Sequence, residues 1–218
     1  IGPNGAGKTT LLSVLGGVLP PTSGHIYFFG QESTGLSPTR LAHLGQSQSF
    51  QVSTLFPSLN VLDNLLLAFH GIRASRFNML RLFYSYQDYI VDAEKLLEAT
   101  NLWEKRKEEV NALSHGEQKI LDVALTLALN PKLLLLDEPS AGLSAEESSD
   151  IIDVINNMSA NITVLIVAHD MDLVFSLADK IMVLHHGQII AHGTPDEVQT
   201  DSKVKEIYTG IENGTDNP

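Results

Sequence analysis

Apolar positions along this chain alternate between helical spacing and short continuous runs. Lys8 to Val18 has the mixed pattern of a helix, stopped by Pro20-Pro21. His25 to Phe29 reads as a strand between Gly24 and Gly30, and Val61 to Phe69 as a helix. From Gly71 to Asn111 the pattern is helical and charged, with Phe77, Phe83, Tyr84, Tyr86 and Tyr89 as core and contact residues. Ser114 is the expected N-cap of a helix from about Gly116 to Leu129, with Glu117 at its start and Pro131 as its stop. Leu133 to Leu136 is wholly apolar, the mark of a strand buried on both faces. The alternation then resumes: helix over Ala145 to Met158, strand over Ile162 to Val167, helix over Met171 to Leu177. Lys180 to Leu184 and Gln188 to His192 make a hairpin turning near His186-Gly187, and Pro195 to Thr200 starts a short helix. The polar residues from about Glu212 read as disordered. Helices interleaved with apolar strands predict an α/β fold.

Composition narrows the class. A chain of 218 residues that is 43% hydrophobic can bury a substantial core. No apolar run is long enough for a transmembrane helix, so direct membrane insertion is not expected. There is no cysteine, which removes disulfide and thiolate chemistry. The net charge of −12 argues against nucleic acid or anionic lipid as a partner.

Chemistry begins at the second residue. Gly2-Pro3-Asn4-Gly5-Ala6-Gly7-Lys8-Thr9 fits the phosphate-loop pattern G-x-x-x-x-G-K-[ST] without a mismatch. Its glycines let successive N–H groups face an anion, and the following helix aims its positive end at the same place. Asn4, Gly5, Ala6, Gly7, Lys8, Thr9 and Thr10 are therefore the expected nucleotide-phosphate contacts, with the Thr9 hydroxyl also a ligand for Mg²⁺. Such a loop joins a strand to a helix, yet only Ile1 stands where the strand belongs. The chain is thus read as N-terminally truncated, its first strands missing. Downstream, Leu133 to Leu136 delivers Asp137 and Glu138 at a strand end, where ligands bind in such folds. Asp137 suits Mg²⁺, and Glu138 suits the general base that polarises a water. His185, His186 and His192 flank the hairpin without accompanying cysteines or carboxylates and are read as surface histidines.

Leu113-Ser114-His115-Gly116-Glu117-Gln118 completes a pattern. With it the chain resembles the ATP-binding-cassette (ABC) ATPases, whose signature is usually L-S-G-G-Q. Gln51 falls where the family has its Q-loop glutamine, and His169 where it has its switch histidine. The motifs follow one another in the family's order, so the resemblance covers essentially the whole chain. It implies a P-loop NTPase, a RecA-like core with an inserted helical subdomain. One ABC ATPase domain would span 1–218: core 1–55 and 132–192, helical subdomain 56–131, C-terminal helix and tail 193–218. The resemblance further implies that Lys8, Glu138 and His169 are catalytic and that Gln51 contacts ATP and Mg²⁺. Ser114, Gly116 and Glu117 would meet the nucleotide held by a second cassette subunit. Two features depart from the family pattern: His115 replaces a signature glycine, and Ser144 stands where an aspartate often closes the D-loop, Pro139 to Ser144.

Within the family, the Ser49 to Leu62 segment, the long Gly71 to Asn111 insert and the tail Gly193 to Val198 resemble ATPases that energise branched-chain amino acid import. Urea and amide importers look similar. The implied partners are transmembrane permease subunits and a second cassette, at the cytoplasmic face of the membrane. A lipopolysaccharide-export ATPase shares the same ATP chemistry. A soluble cassette protein acting on ribosomes or DNA fits the acidic balance poorly, and the presence of Lys8, Glu138 and His169 speaks against a module without catalysis.

Overall fold

The computed structural model describes residues 1–49, 55–72, 85–158, 162–168 and 171–209. Two compact units divide the chain: Ile1–Ser13 with Val167–Pro218, and Val14–Ile166.

The first unit holds the phosphate loop and the start of α1 (Lys8–Leu15). β6 (Ile181–His185) and β7 (Gln188–Gly193) form its antiparallel hairpin, with Leu184 opposite Ile189 and His185 opposite Gln188. The turn lies at His186 (φ 47°) and Gly187 (φ 75°), the left-handed pair that suits the right-handed strand twist. Ile1 lies beside β6 as a strand neighbour would: its ammonium donates to Met182 O and its carbonyl accepts from Leu184 N–H, both at 2.8 Å. Gly187 N–H donates to Ala6 O at 2.9 Å, so the hairpin turn supports the phosphate loop from behind. Thr194 and Glu197 form a capping box at α8 (Pro195–Thr200), with Pro195 at the first helical position. α9 (Ser202–Thr209) then packs on β7.

The second unit is built on a sheet ordered β3 (Gln46–Gln48), β4 (Leu133–Asp137), β5 (Thr163–Val167). β3 and β4 are parallel, with Gln46 opposite Leu133 and Gln48 opposite Leu135. Leu134, Leu135 and Leu136 are buried, as the uninterrupted apolar run predicts. The helices of its core are α3 (Val61–Ile72), α4 (Gln87–Ala99), α5 (His115–Ala128) and α6 (Ala145–Met158). They meet in one core that includes Leu65, Leu97, Leu121, Leu134, Leu136 and Ile151. Each buried leucine contributes about 1.5–3 kcal/mol over its exposed state. Tyr86 and Tyr89 stack in this core at 5.0 Å, whereas Phe77, Phe83 and Tyr84 lie outside the described residues.

The sequence reading and the structure differ at several boundaries. α1 ends at Leu15, not Val18, because Gly17 takes a left-handed conformation (φ 72°) and its N–H turns back to Val14 O. The predicted His25–Phe29 strand is a tight hairpin, β1 (Tyr27–Phe28) with β2 (Gln31–Glu32), turning on Phe29 and Gly30, both at positive φ. α2 (Pro38–Leu44) was legible in principle: Ser37 precedes Pro38 at its start and Gly45 (φ 97°) ends it. β3, Gln-Ser-Gln, has no apolar residue, and periodicity could not reveal it.

Candidate functional site

In the first unit, the phosphate loop curls through Gly5 (φ 78°) and Gly7 (φ 98°), which few side-chain-bearing residues would tolerate. Ala6 is buried, while Asn4, Gly5, Thr9 and Thr10 face solvent. Lys8 is only 9% exposed, and its Nζ donates to Gly2 O at 2.7 Å and Pro3 O at 3.1 Å. An ammonium tucked under a ring of backbone groups is a cation waiting for an anion. The first-turn amides of α1 have no intrahelical acceptor, and no acidic side chain sits in that turn to fill the role. The donor set fits a polyphosphate.

In the second unit, parallel β3 and β4 end at one edge of the sheet. Their ends are tied by Ser49, whose N–H donates to Leu135 O at 2.9 Å and whose Oγ accepts from Asp137 N–H at 3.3 Å. Asp137 is 6% exposed, a buried carboxylate at the sheet edge whose hard oxygens suit a hard divalent cation. Glu138 follows at φ 49°, a left-handed conformation costing an L-residue roughly 1–2 kcal/mol. The strain turns the chain sharply and sets Glu138 beyond the strand end, and Ala141 N–H closes the turn on Glu138 O at 3.1 Å. Such strain concentrates at functional sites.

The third group sits at the head of α5. Ser114 is its N-cap: Ser114 Oγ accepts from Glu117 N–H at 3.2 Å, and Glu117 Oε2 accepts from Ser114 N–H at 3.0 Å. Glu117 Oε1 also pairs with Lys105 Nζ at 2.6 Å. Burial works to raise the Glu117 pKa, but the hydrogen bonds from Lys105 and Ser114 outweigh it and hold the carboxyl below its ordinary range. Lys105 is raised, first by the same hydrogen bond. Gln118 Nε2 donates to Val110 O and Leu113 O, anchoring the segment that leads into the helix. Ser114 and His115 are left exposed, and Gly116 is buried.

Sequence reasoning singled out the phosphate loop, Asp137, Glu138 and the Ser114 turn, all among the described residues. Gln51 and His169 lie outside the described residues. It missed Ser49 and Lys105, whose roles depend on contacts between elements. It also missed Glu147, although Ser144-x-x-Glu147 has the capping-box spacing. His185 and His186 pack edge to face at 4.1 Å, and among the described residues no group of three or more potential ligands gathers for a metal. No helix of the described residues is long and apolar enough to cross a membrane.

Comparison with known proteins agrees with this layout. Residues 1–141 match the family described as ABC transporter. Residues 188–212 match that described as branched-chain amino acid ATP-binding cassette transporter. The chain is 36% identical to the high-affinity branched-chain amino acid transport ATP-binding protein BraF of Pseudomonas aeruginosa, covering 96% of this chain and 85% of that protein. Its fold is similar to a nucleotide-free ATP-binding cassette from an ABC transporter, with TM-score 0.80 and 32% identity over 95% of this chain and 85% of the other. It is also similar to a dimeric ATP-binding cassette in a post-hydrolysis state bound to ADP and Pi, with TM-score 0.73 and 25% identity over 89% and 83%. The chain belongs to the ABC transporter family, among the ATP-binding proteins of its branched-chain amino acid branch.

Proposed function

We propose that this chain hydrolyses ATP to drive import of branched-chain amino acids through a permease. The observation that carries the reading is the joint match of residues 1–141 to the transporter family and of residues 188–212 to its branched-chain branch. ATP binding and an ATPase role coupled to transport come with the family. The solute, the direction and the residue roles are the proposal.

In this reading, residues 1–55 and 132–192 form the RecA-like core, 56–131 the helical subdomain and 193–218 the C-terminal helix and tail. Lys8 exchanges the Gly2 and Pro3 carbonyls for the β- and γ-phosphates, while the loop from Asn4 to Gly7 and the hydroxyls of Thr9 and Thr10 surround them. Mg²⁺, when bound, would neutralise phosphate charge, with Thr9, Gln51 and Asp137 to hold it. Glu138 takes the proton of the attacking water as general base. His169 hydrogen-bonds the γ-phosphate and holds the reacting geometry. Ser114, Gly116 and the Glu117 turn face the nucleotide of a second copy or a paralogue, so two chains enclose two ATP molecules. ATP binds the closed pair better than the open one and shifts the population towards it. Closure pulls on the permease, and hydrolysis releases it. The chain sits peripherally at the cytoplasmic face of the membrane, held there by the permease.

Glu138→Gln should leave ATP binding intact and slow hydrolysis by about 10²-fold or more, the scale of a lost general base. Normal hydrolysis by that variant would remove Glu138 from the role. The transport reading is tested by isolating the protein from solubilised membranes with ATP present. A permease and a second cassette should copurify; ribosomal or DNA-repair proteins without a permease would overturn it.

A further inference from the structure

Gly116 is the second residue of α5, and its N–H is one of the amides that a helix leaves without an intrahelical acceptor. In the single chain the Glu147 carboxylate lies against this residue and brings a negative charge to the helix head. The approach is close: a Cβ placed on Gly116 would collide with Glu147 Oε1. The next amide, Glu117 N–H, is held by Ser114 Oγ at 3.2 Å. The head of α5 thus already carries two of this chain's own oxygens, and one of them is charged.

Glu147 belongs to another helix. It is the third residue of α6, and its Oε2 accepts from Ser144 N–H at 2.9 Å while Ser144 Oγ accepts from Glu147 N–H at 3.2 Å. These bonds hold the carboxyl below its ordinary range, the Ser144 backbone first, with Gly116 N–H and the His115 charge adding to the effect. Both positions that depart from the family pattern meet here. Ser144 supplies the cap, and His115 Nε2 would lie 3.7 Å from a Cβ on Gly142. The carboxylate is the far end of a flexible side chain, so it can leave Gly116 and remain on Ser144.

We propose that Glu147 is a built-in competitor for the γ-phosphate, its carboxylate lying over Gly116 until a second copy's nucleotide displaces it. The proposal rests on Ser114 and Gly116 being the contacts for that nucleotide. Two anions repel at one helix end, so the carboxylate over Gly116 opposes a phosphate arriving there. Glu147 therefore sets a threshold, and the pair closes only at an ATP concentration above the one that the bare helix end would need.

The test uses the full-length protein carrying Glu138→Gln, titrated with MgATP at fixed protein concentration, with the dimer fraction read by light scattering. Adding Glu147→Gln removes the charge but keeps the side-chain length and a capping oxygen. It should lower the ATP concentration for half-dimerisation by about 5-fold, the low end of coupling between two binding events. Glu147→Ala, which removes the competing oxygen altogether, should shift it in the same direction. ADP has no γ-phosphate and should bind all three proteins equally. An unchanged or raised midpoint in both Glu147 variants overturns the competitor. Altered ADP affinity with a lowered Tm also overturns it, since the lost cap of α6 then accounts for the shift. Absence of any ATP-dependent dimer with Glu147 intact sinks the reading of Ser114 and Gly116 themselves, and the competitor with it.

Discussion

At Gly2 the backbone adopts φ 150°, and a Cβ there would run into the carbonyl oxygen of Leu184, a backbone atom that cannot rotate away. Gly2→Ala should therefore destabilise the protein by about 1–3 kcal/mol from conformation alone, with the clash in addition, measured as a shift in the denaturant midpoint. A midpoint like that of the parent would show that the loop moves freely off β6. Lys8 adds a chemical role in the proposed function. Its buried Nζ satisfies two carbonyls, so Lys8→Ala should cost about 1–3 kcal/mol of stability and, in the proposed function, also weaken ATP binding strongly; unfolding and nucleotide titrations separate the two. Unchanged ATP affinity would count against the phosphate-loop assignment. Glu138 combines both kinds of demand: a strained backbone and a carboxylate placed just past the strand end.

Among the elements, three helices begin with the same device. Glu117 on α5, Glu147 on α6 and Glu197 on α8 each accept from the backbone N–H of the cap residue three positions earlier, and all three carboxyls titrate below their ordinary range. A depressed folded-state pKa contributes stability above the unfolded value, about 4.3 for Glu, that is lost as pH falls through the folded value. Tm should therefore drop on acidification below about pH 4.3, and the Glu→Gln triple variant should show a flatter acid limb. Equal slopes would mean that the caps do not couple to folding. These caps were readable as Ser/Thr-x-x-Glu. The burial of α4 and α5 was not, and Leu97, fully buried between helices, illustrates it. Leu97→Ala should cost about 2–5 kcal/mol, visible by chemical unfolding.

For the whole molecule, the proposed function needs a second cassette, and if that cassette is a copy of this chain, apparent stability depends on concentration. With MgATP, the Tm of the Glu138→Gln protein should rise with protein concentration, because closed pairs are withdrawn from unfolding. With ADP it should not. A Tm independent of concentration in both nucleotides would argue for a chain that works alone.

The motifs that mark the family are legible in the sequence because they rest on local spacing. A phosphate loop needs glycines and a lysine at set intervals, a buried strand must be apolar on both faces, and a capped helix needs Ser and Glu three residues apart. These carried the family and named the phosphate loop, Asp137, Glu138 and the Ser114 turn as candidates. Tertiary structure alone decided the rest. The polar strand Gln46–Gln48 forms because β4 offers it a parallel edge. α1 stops at Gly17, where a Cβ would collide with Leu36 O. Glu147 reaches Gly116 only because α6 packs against α5. Each of these depends on a neighbour distant in the chain, and no local pattern encodes which distant backbone group will be there.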